Sequence, residues 1–220
     1  SGTGAGADLI VDGAGINATP TIGGNDITLS GNLTYIYFTA DFTFPGGKTL
    51  TSPGDIIIGS SVSTAAGNLT FTADSDNNGT GGVWVLAGGQ ASAAAAFTAT
   101  GSSVLDTPGI GGSGGQAVLI EADGGNDQVV SGGSMTLEYD AVADAEQDIE
   151  VNGQLNAGGL LTIDAAADVL LNSGNADVSV TNANAVLTAD ANSNSAGAFT
   201  MNGGATIAVG TGTITISAYD

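Results

Sequence analysis

The chain has 220 residues, with 22 acidic side chains, one basic side chain (Lys48) and no histidine or cysteine, so its formal net charge is −21. Without imidazole or thiol groups it cannot build Ser-His-Asp or Cys-His nucleophile systems, or zinc sites made of His or Cys. The negative charge also opposes nucleic-acid and phosphate binding, which normally need Lys or Arg. We therefore expect a protein that is not an enzyme and has no nucleic-acid partner.

Short apolar runs rich in β-branched residues occur along the whole chain, separated by Gly, Asn, Asp and Ser, which predicts short strands joined by tight turns. In chain order the predicted strands include 27–29, 35–38, 56–58, 69–72, 83–86, 118–120, 135–137, 160–163, 169–171, 178–180 and 214–216. No window sustains the period of a capped helix. We therefore predict an all-β protein.

One stretch of the sequence recurs. Residues 72–78 (TADSDNN) match residues 188–194 (TADANSN) at a shift of 116 residues, and residues 54–58 (GDIII) resemble residues 167–171 (ADVLL). Short strands with regularly spaced turns are typical of a solenoid, in which each coil buries its apolar side on the next. We predict a parallel β-helix (β-solenoid). The alternative is an antiparallel β-sandwich or jelly roll, which also uses many short strands.

The chain divides by composition near residue 54. Residues 1–53 are more aromatic and less repetitive, and we predict that they form an N-terminal cap or atypical first coils. Residues 54–220 are predicted to form the solenoid repeats of a single continuous domain. Because the chain opens without the basic and apolar regions of a signal peptide, we expect a mature form or an excised fragment.

The surface must be built mainly from Thr, Ser, Asn and Gly, because only 10% of the residues are charged. Such a surface favours an extracellular or cell-surface location, and the lack of cysteine suits a secreted chain without disulfides. The longest uncharged run, residues 77–105, is interrupted by glycines and polar side chains. We therefore predict no membrane insertion.

Three segments, 67–74 (GNLTFTAD), 158–165 (GGLLTIDA) and 210–216 (GTGTITI), resemble coils of filamentous-haemagglutinin-type proteins. Those proteins are large, repetitive, secreted bacterial surface proteins. The resemblance covers about residues 54–218. It implies a right-handed β-helix shaft with an adhesive or filament-forming role.

The residues Asp74, Asp76 and Asn78 match the first half of a calcium-binding loop, in which alternating oxygen atoms face one centre. The bidentate Glu that closes such a loop is missing, because the twelfth position is Val85. The segment is therefore either a calcium-dependent turn with other ligands or an Asx-rich turn that caps its own backbone. Asp190 holds the matching place in the second copy and marks a weaker candidate.

A second acidic feature occupies even-numbered positions and consists of Glu138, Asp140, Asp144, Glu146, Asp148 and Glu150. In one extended strand these side chains would share a face. Such a stripe is either a solvated face that keeps the protein soluble or a calcium-bridged contact within or between subunits. Residues 124–133 (GGNDQVVSGG) also resemble a single calcium-binding nonapeptide of a β-roll. The candidate calcium ligands are thus Asp74, Asp76, Asn78, Glu138, Asp140 and Asp190.

Residues 17–25 and 211–220 alternate like edge strands, and an open β-helix end exposes backbone with which a partner can pair. We therefore expect a structural protein that assembles with itself through its chain ends into a surface filament, sheath or fibre, with calcium as its one candidate cofactor. An adhesin module that binds surface glycans is the first alternative, with Trp84 and the tyrosines stacking on sugar rings if they are exposed. A glycosidase-like β-helix enzyme that acts on a neutral glycan through two carboxylates is the second.

Overall fold

A computed structural model describes residues 7–11, 27–28, 33–103, 115–122, 127–141, 147–172, 175–194 and 197–218. These ranges contain strands and turns and no helix. The strands are β1 (Ala7–Val11), β2 (Ile27–Thr28), β3 (Leu33–Phe38), β4 (Phe42–Phe44), β5 (Lys48–Thr51), β6 (Asp55–Ile58), β7 (Ser61–Thr64), β8 (Leu69–Thr72), β9 (Val83–Val85), β10 (Gln90–Ala93), β11 (Phe97–Gly101), β12 (Gln116–Ile120), β13 (Asp127–Ser131), β14 (Met135–Tyr139), β15 (Asp148–Val151), β16 (Gln154–Ala157), β17 (Leu161–Asp164), β18 (Val169–Leu171), β19 (Asp177–Val180), β20 (Ala185–Thr188), β21 (Phe199–Met201), β22 (Thr206–Ala208) and β23 (Ile214–Ser217). The all-β prediction is confirmed.

The strands form three parallel sheets. Sheet I has the order β1-β3-β6-β9-β12-β15-β18-β21, sheet II the order β4-β7-β10-β13-β16-β19-β22, and sheet III the order β2-β5-β8-β11-β14-β17-β20-β23. From β3 onward each coil contributes one strand to sheet I, then one to sheet II, then one to sheet III. This topology confirms the parallel β-helix, because the described strand pairs are parallel and a sandwich or jelly roll would need antiparallel ones.

Stacked apolar side chains fill the interior. Strands of sheets II and III alternate buried and partly exposed positions, so every second residue points inward. In sheet III one inward column runs through Leu69, Phe97, Met135, Leu161 and Ala185, each of them buried. The parallel register places one coil's side chain directly on its counterpart in the next coil. A single continuous core therefore extends along the solenoid.

The predicted division at residue 54 stays a prediction. Strands β3, β4 and β5 lie before it and pair in sheets I, II and III with β6, β7 and β8. The predicted edge segment 17–25 lies outside the described residues.

The longer connections between successive strands collect at one corner of the solenoid. At this corner, which joins a strand of sheet III to the next strand of sheet I and is here called the III–I corner, the connections span residues 52–54, 73–82, 102–115, 140–147, 165–168 and 189–198. The other two corners are turned by connections of six residues or fewer from β3 onward. The insertions that lengthen individual coils therefore lie mainly at the III–I corner.

Candidate functional site

Asp74 opens the III–I connection between β8 and β9 with a left-handed backbone (φ 53°), which Asp tolerates better than most residues. Its buried carboxylate accepts hydrogen bonds from the backbone N–H groups of Asn78 (2.8 Å) and Gly79 (3.0 Å), and from the hydroxyl of Ser102 (2.5 Å) in the next coil. Burial raises the pKa of the Asp74 carboxyl above its ordinary value, although these hydrogen bonds oppose the rise. Both carboxylate oxygens thus stabilise the turn.

Asp76 and Asn78 complete the first predicted calcium motif. The Asn78 side-chain amide donates to Asp76 Oδ2 (3.0 Å), and its carbonyl oxygen accepts hydrogen bonds from the backbone N–H and the hydroxyl of Thr80. The structure therefore brings the three predicted ligands into one turn, in which their oxygens serve one another and the backbone. This is the geometry of an Asx-rich turn. Calcium binding at these residues stays a prediction.

The second copy of the motif folds in the same way. Asp190 is buried, has a φ of 54°, and accepts a hydrogen bond from the backbone N–H of Asn194 (2.8 Å) on its Oδ1. The backbone N–H of Ser193 donates to the carbonyl of Asp190, as that of Asn77 does to Asp74 (3.0 Å in each case). The repeated sequence thus specifies a repeated turn, four coils away along sheet III.

Glu138 and Asp140 lie at the end of β14 and directly after it, where the chain enters another III–I connection. Glu138 is an outward-facing residue of β14, where it pairs in register with Thr100 and Asp164 and accepts a hydrogen bond from the Thr100 hydroxyl (2.8 Å). Because neighbouring strands lie about 4.8 Å apart, Glu138 and Asp164 form a pair of neighbouring carboxylates. Asp140 follows β14 at the start of the connection. Sequence reasoning missed Asp164, because its pairing with Glu138 depends on the number of residues in the coil that separates the two.

The expectation that the even-numbered acidic residues share one extended face is wrong. Glu138 lies in sheet III, whereas Asp148 and Glu150 lie in β15 of sheet I, because the chain turns the III–I corner between them. Asp144 and Glu146 lie outside the described residues, as do residues 123–126 of the β-roll-like segment. The Glu150 carboxylate accepts hydrogen bonds from the side-chain amides of Asn152 (2.9 Å) and Asn172 (3.2 Å).

Aspartates at the start of sheet I strands have a role that sequence reasoning missed. Asp55, Asp148 and Asp168 each accept a hydrogen bond from a backbone N–H of the following coil, donated by Gly82 (2.8 Å), Asp168 (3.0 Å) and Ala198 (2.8 Å) respectively. The sequence similarity between residues 54–58 and 167–171 was the feature that could have indicated this role. These carboxylates connect successive coils, so much of the acidity at this corner serves the stacking itself.

Trp84 lies on the outward side of sheet I but is only 2% exposed. It forms a second apolar cluster with Ile57 and Leu119, against which Tyr35 and Tyr37 pack. Its indole N–H donates to the carboxylate of Glu121 (3.1 Å), which also accepts the backbone N–H of Ala87 (3.0 Å). Trp84 is therefore a packing residue and does not present its ring to a sugar.

The last coil of the described residues leaves its apolar interior uncovered. Strands β21, β22 and β23 are the last strands of sheets I, II and III, so among the described residues the outer backbone edge of each has no pairing strand. Met201, Ile214 and Ile216 occupy inward-facing positions but are 44%, 42% and 46% exposed, whereas Leu187, which pairs with Ile216, is fully buried. The surface formed by these three strands is here called the open end. Residues 191–219 carry no charged side chain.

The opposite end differs. Strand β4 is the first strand of sheet II, yet its inward-facing Phe42 and Phe44 are buried. The rings of these two residues contact each other edge to face with centroids 4.6 Å apart. The described residues therefore present an apolar surface at one end of the solenoid that has no counterpart at β4.

Three further findings bear on function. Among the described residues, no group of three or more His, Cys, Asp or Glu side chains is arranged to hold a metal ion. The same part of the chain contains no helix of the length and apolarity that a membrane span requires. Comparison of the chain with protein families, with curated proteins and with solved structures finds no match.

Proposed function

We propose that this chain is a non-enzymatic extracellular structural protein that assembles with itself through its solenoid ends into a surface filament, sheath or fibre. The observation that carries the proposal is the open end, where Ile214 and Ile216 are exposed although their positions in the preceding coils belong to the core. A coil supplied by a second copy would bury these side chains and pair with the free strand edges.

The distribution of charge supports contact through the end. The chain has a formal net charge of −21, but residues 191–219 are uncharged. Two copies that approach by their sides would bring acidic surfaces together, and this repulsion is only partly screened by salt. Contact through the open end avoids that cost. Calcium enters the proposal as a counter-ion for the acidic side chains of the III–I corner and for the neighbouring Glu138 and Asp164 of sheet III.

The filamentous-haemagglutinin-type surface proteins remain the family to which we propose that this chain is related. The parallel β-helix is the feature that the two share. Large β-helical shafts of that kind provide length and stiffness, which agrees with a continuous core that extends from Ile36 to Ala205.

A glycan-binding adhesin is the second candidate, and the III–I corner is the observation in its favour. Insertions in solenoids usually collect on one side, which is often the binding side. The buried Trp84 does not contribute to such a site, so a glycan would contact the corner connections. This candidate predicts a monomer that binds glycans, whereas the structural proposal predicts an assembly.

Electron microscopy and sedimentation of the purified chain, with calcium and again with a chelator, test the proposal. We expect filaments or end-linked oligomers that the paired substitution I214D/I216D abolishes, because it places two carboxylates on the open end. Leu160→Asp is the matched control, since Leu160 is equally exposed (45%) but lies on a connection at the side of the solenoid. Monomers in every condition would reject self-assembly, and assemblies that survive chelation would remove only the calcium part.

A further inference from the structure

The outward face of sheet III carries two columns of threonines. The first column runs through Thr49, Thr70, Thr98, Thr136 and Thr162, each paired in register with the next, and Val186 ends this run in β20. The second begins with Thr51, Thr72 and Thr100, two residues further along the same strands, and continues with Glu138, Asp164 and Thr188. These outward positions, here called the threonine face, are all half-buried.

The spacing of this face is regular in two directions. Neighbouring coils place equivalent residues about 4.8 Å apart, and alternate residues of one strand lie about 6.6 Å apart. None of the described pairs of sheet III contains a register shift, whereas sheet I is irregular between β12 and β15 and sheet II between β13 and β16. Sheet III is therefore the sheet whose outward positions keep an unshifted backbone register from coil to coil.

Strand propensity alone does not explain the threonines. Threonine favours every strand, so propensity would distribute it over all three sheets. Outward positions of sheet II include Ser63, Ser92, Val130 and Asn156, and its described strands carry an outward threonine at two positions, Thr43 and Thr206. Those of sheet I include Tyr37, Ile57, Trp84, Leu119 and Glu150. The concentration on one sheet therefore calls for a reason that belongs to that surface.

The hydroxyl groups of several threonines of this face are available to water. Among the described residues, the side chains of Thr70, Thr72, Thr98 and Thr136 make no hydrogen bond, and Thr100 donates to Glu138. The inward neighbours of these threonines, such as Leu69, Phe71 and Phe97, are fully packed in the core, so the backbone that carries the grid is held rigidly. Each threonine thus offers a methyl group and a hydroxyl at a fixed point.

We propose that the threonine face adsorbs onto ice, mainly through the six outward threonines of β5, β8 and β11, where no outward position carries a charge. An ice surface repeats its oxygen atoms in two directions at distances close to those of this grid, and its lattice excludes ions. Hydroxyl groups can occupy or bond to lattice positions, while the methyl groups are removed from liquid water. A free sugar chain offers no comparable two-dimensional repeat, and no outward position of the threonine face carries an aromatic ring on which a sugar could stack.

The two carboxylates in the second column set the extent of the site. Glu138 and Asp164 lie side by side where the pattern of the first three coils would place threonines. Their charges require liquid water around them, so they interrupt the grid on one side. Their replacement by threonine should therefore extend the surface that ice can contact.

The full chain is tested by partition into slowly grown ice and by thermal hysteresis, with circular dichroism to confirm the fold of each variant. We expect the wild-type chain to be enriched in the ice fraction and Thr98→Tyr to lose at least several-fold of the hysteresis, because the larger ring projects from the centre of the grid. Ser92→Tyr, at an outward position of sheet II, is the matched control and should retain the activity. The double substitution E138T/D164T should increase it.

Exclusion of the wild-type chain from ice, as for an ordinary solute, would overturn the proposal. A folded Thr98→Tyr variant that keeps full activity would do the same, as would retention of the chain on crystalline cellulose or chitin without any enrichment in ice. The outcome is independent of the self-assembly described above, because the threonine face and the open end use different surfaces.

Discussion

Asp74 and Asp190 are 116 residues apart in the sequence and hold the same turn in the same conformation. Their φ angles are 53° and 54°, and each carboxylate accepts the backbone N–H of the residue four positions later at 2.8 Å. In each turn the residue three positions later also has a positive φ. In both turns, a buried aspartate accepts hydrogen bonds from backbone N–H groups and so closes a long connection at the III–I corner.

The pH dependence of stability should have opposite signs at two aspartates. Burial raises the pKa of Asp74, so its protonated form is favoured in the folded chain. The stability that this shift contributes is complete below the unfolded-state pKa and is lost as the pH rises through the folded-state pKa. We expect the free energy of unfolding of the wild-type chain, relative to Asp74→Asn, to increase as the pH is lowered from 7 through this range. Urea unfolding at a series of pH values measures it.

Asp41 supplies the opposite case. Hydrogen bonds from the Ser60 hydroxyl and the Ser61 backbone N–H lower the pKa of the Asp41 carboxyl. Its contribution is therefore present above the unfolded-state pKa and is lost as the pH falls through the folded-state pKa. Relative to Asp41→Asn, the wild-type chain should lose stability on acidification. Equal slopes for the two variants would show that the local environments described here do not govern the titration.

Gly197→Ala should destabilise the second turn. A Cβ at this position would lie 2.4 Å from both the carbonyl oxygen of Ala167 and the backbone nitrogen of Asp190, so the backbone would have to move. Overpacking of this kind costs about 1–3 kcal/mol. Gly46→Ala is the control, because nothing lies within 4 Å of its added Cβ. Thermal unfolding measures both variants, and equal midpoints would contradict the expectation.

The stacked pair Leu187 and Ile216 separates core stability from contact at the open end. Leu187 is fully buried, so Leu187→Ala should lower the free energy of unfolding by about 2–5 kcal/mol. Ile216 occupies the equivalent position in the last coil and is 46% exposed, so Ile216→Ala should cost less in the monomer. If the open end is covered in an assembly, Ile216→Ala should weaken association while the monomer remains stable. Denaturation below and above the concentration at which the chain assembles separates the effect on monomer stability from the effect on association.

Glu121 should stabilise the outward face of sheet I through its two acceptors. Glu121→Ala leaves the indole N–H of Trp84 and the backbone N–H of Ala87 without their partner, which should cost about 1–3 kcal/mol. Glu121→Gln keeps one oxygen acceptor and should cost less. The chain contains a single tryptophan, so its fluorescence during urea unfolding reports directly on this cluster. An Ala variant as stable as the wild-type chain would show that neither hydrogen bond contributes.

Local pattern predicted the strands well. The runs 56–58, 83–86 and 169–171 all lie in or around strands of sheet I, because β-branched residues bounded by Gly, Asn and Asp have few other stable conformations. The repeat of 116 residues likewise predicted that two distant turns would fold alike, since the φ angles are imposed by the same residue types at the same positions. These features depend on neighbours in the sequence.

The acidic residues show what the local sequence pattern does not predict. Glu138 and Glu150 share even numbering, yet a corner places them in different sheets, and Asp164 becomes the neighbour of Glu138 through the length of one coil. The sequence alone is equally consistent with Asp74 as a calcium ligand and with Asp74 as a capping residue. Only the structure shows that Ser102 of the next coil donates a hydrogen bond to it.

Composition and periodicity were thus sufficient to establish an acidic, all-β solenoid without His or Cys chemistry. The identity of each side chain's neighbours, the open end and the threonine face required the stacked coils. The reason is physical. In a parallel solenoid every lateral contact joins residues about one coil apart, so variable corner connections change which residues meet without changing the strands themselves.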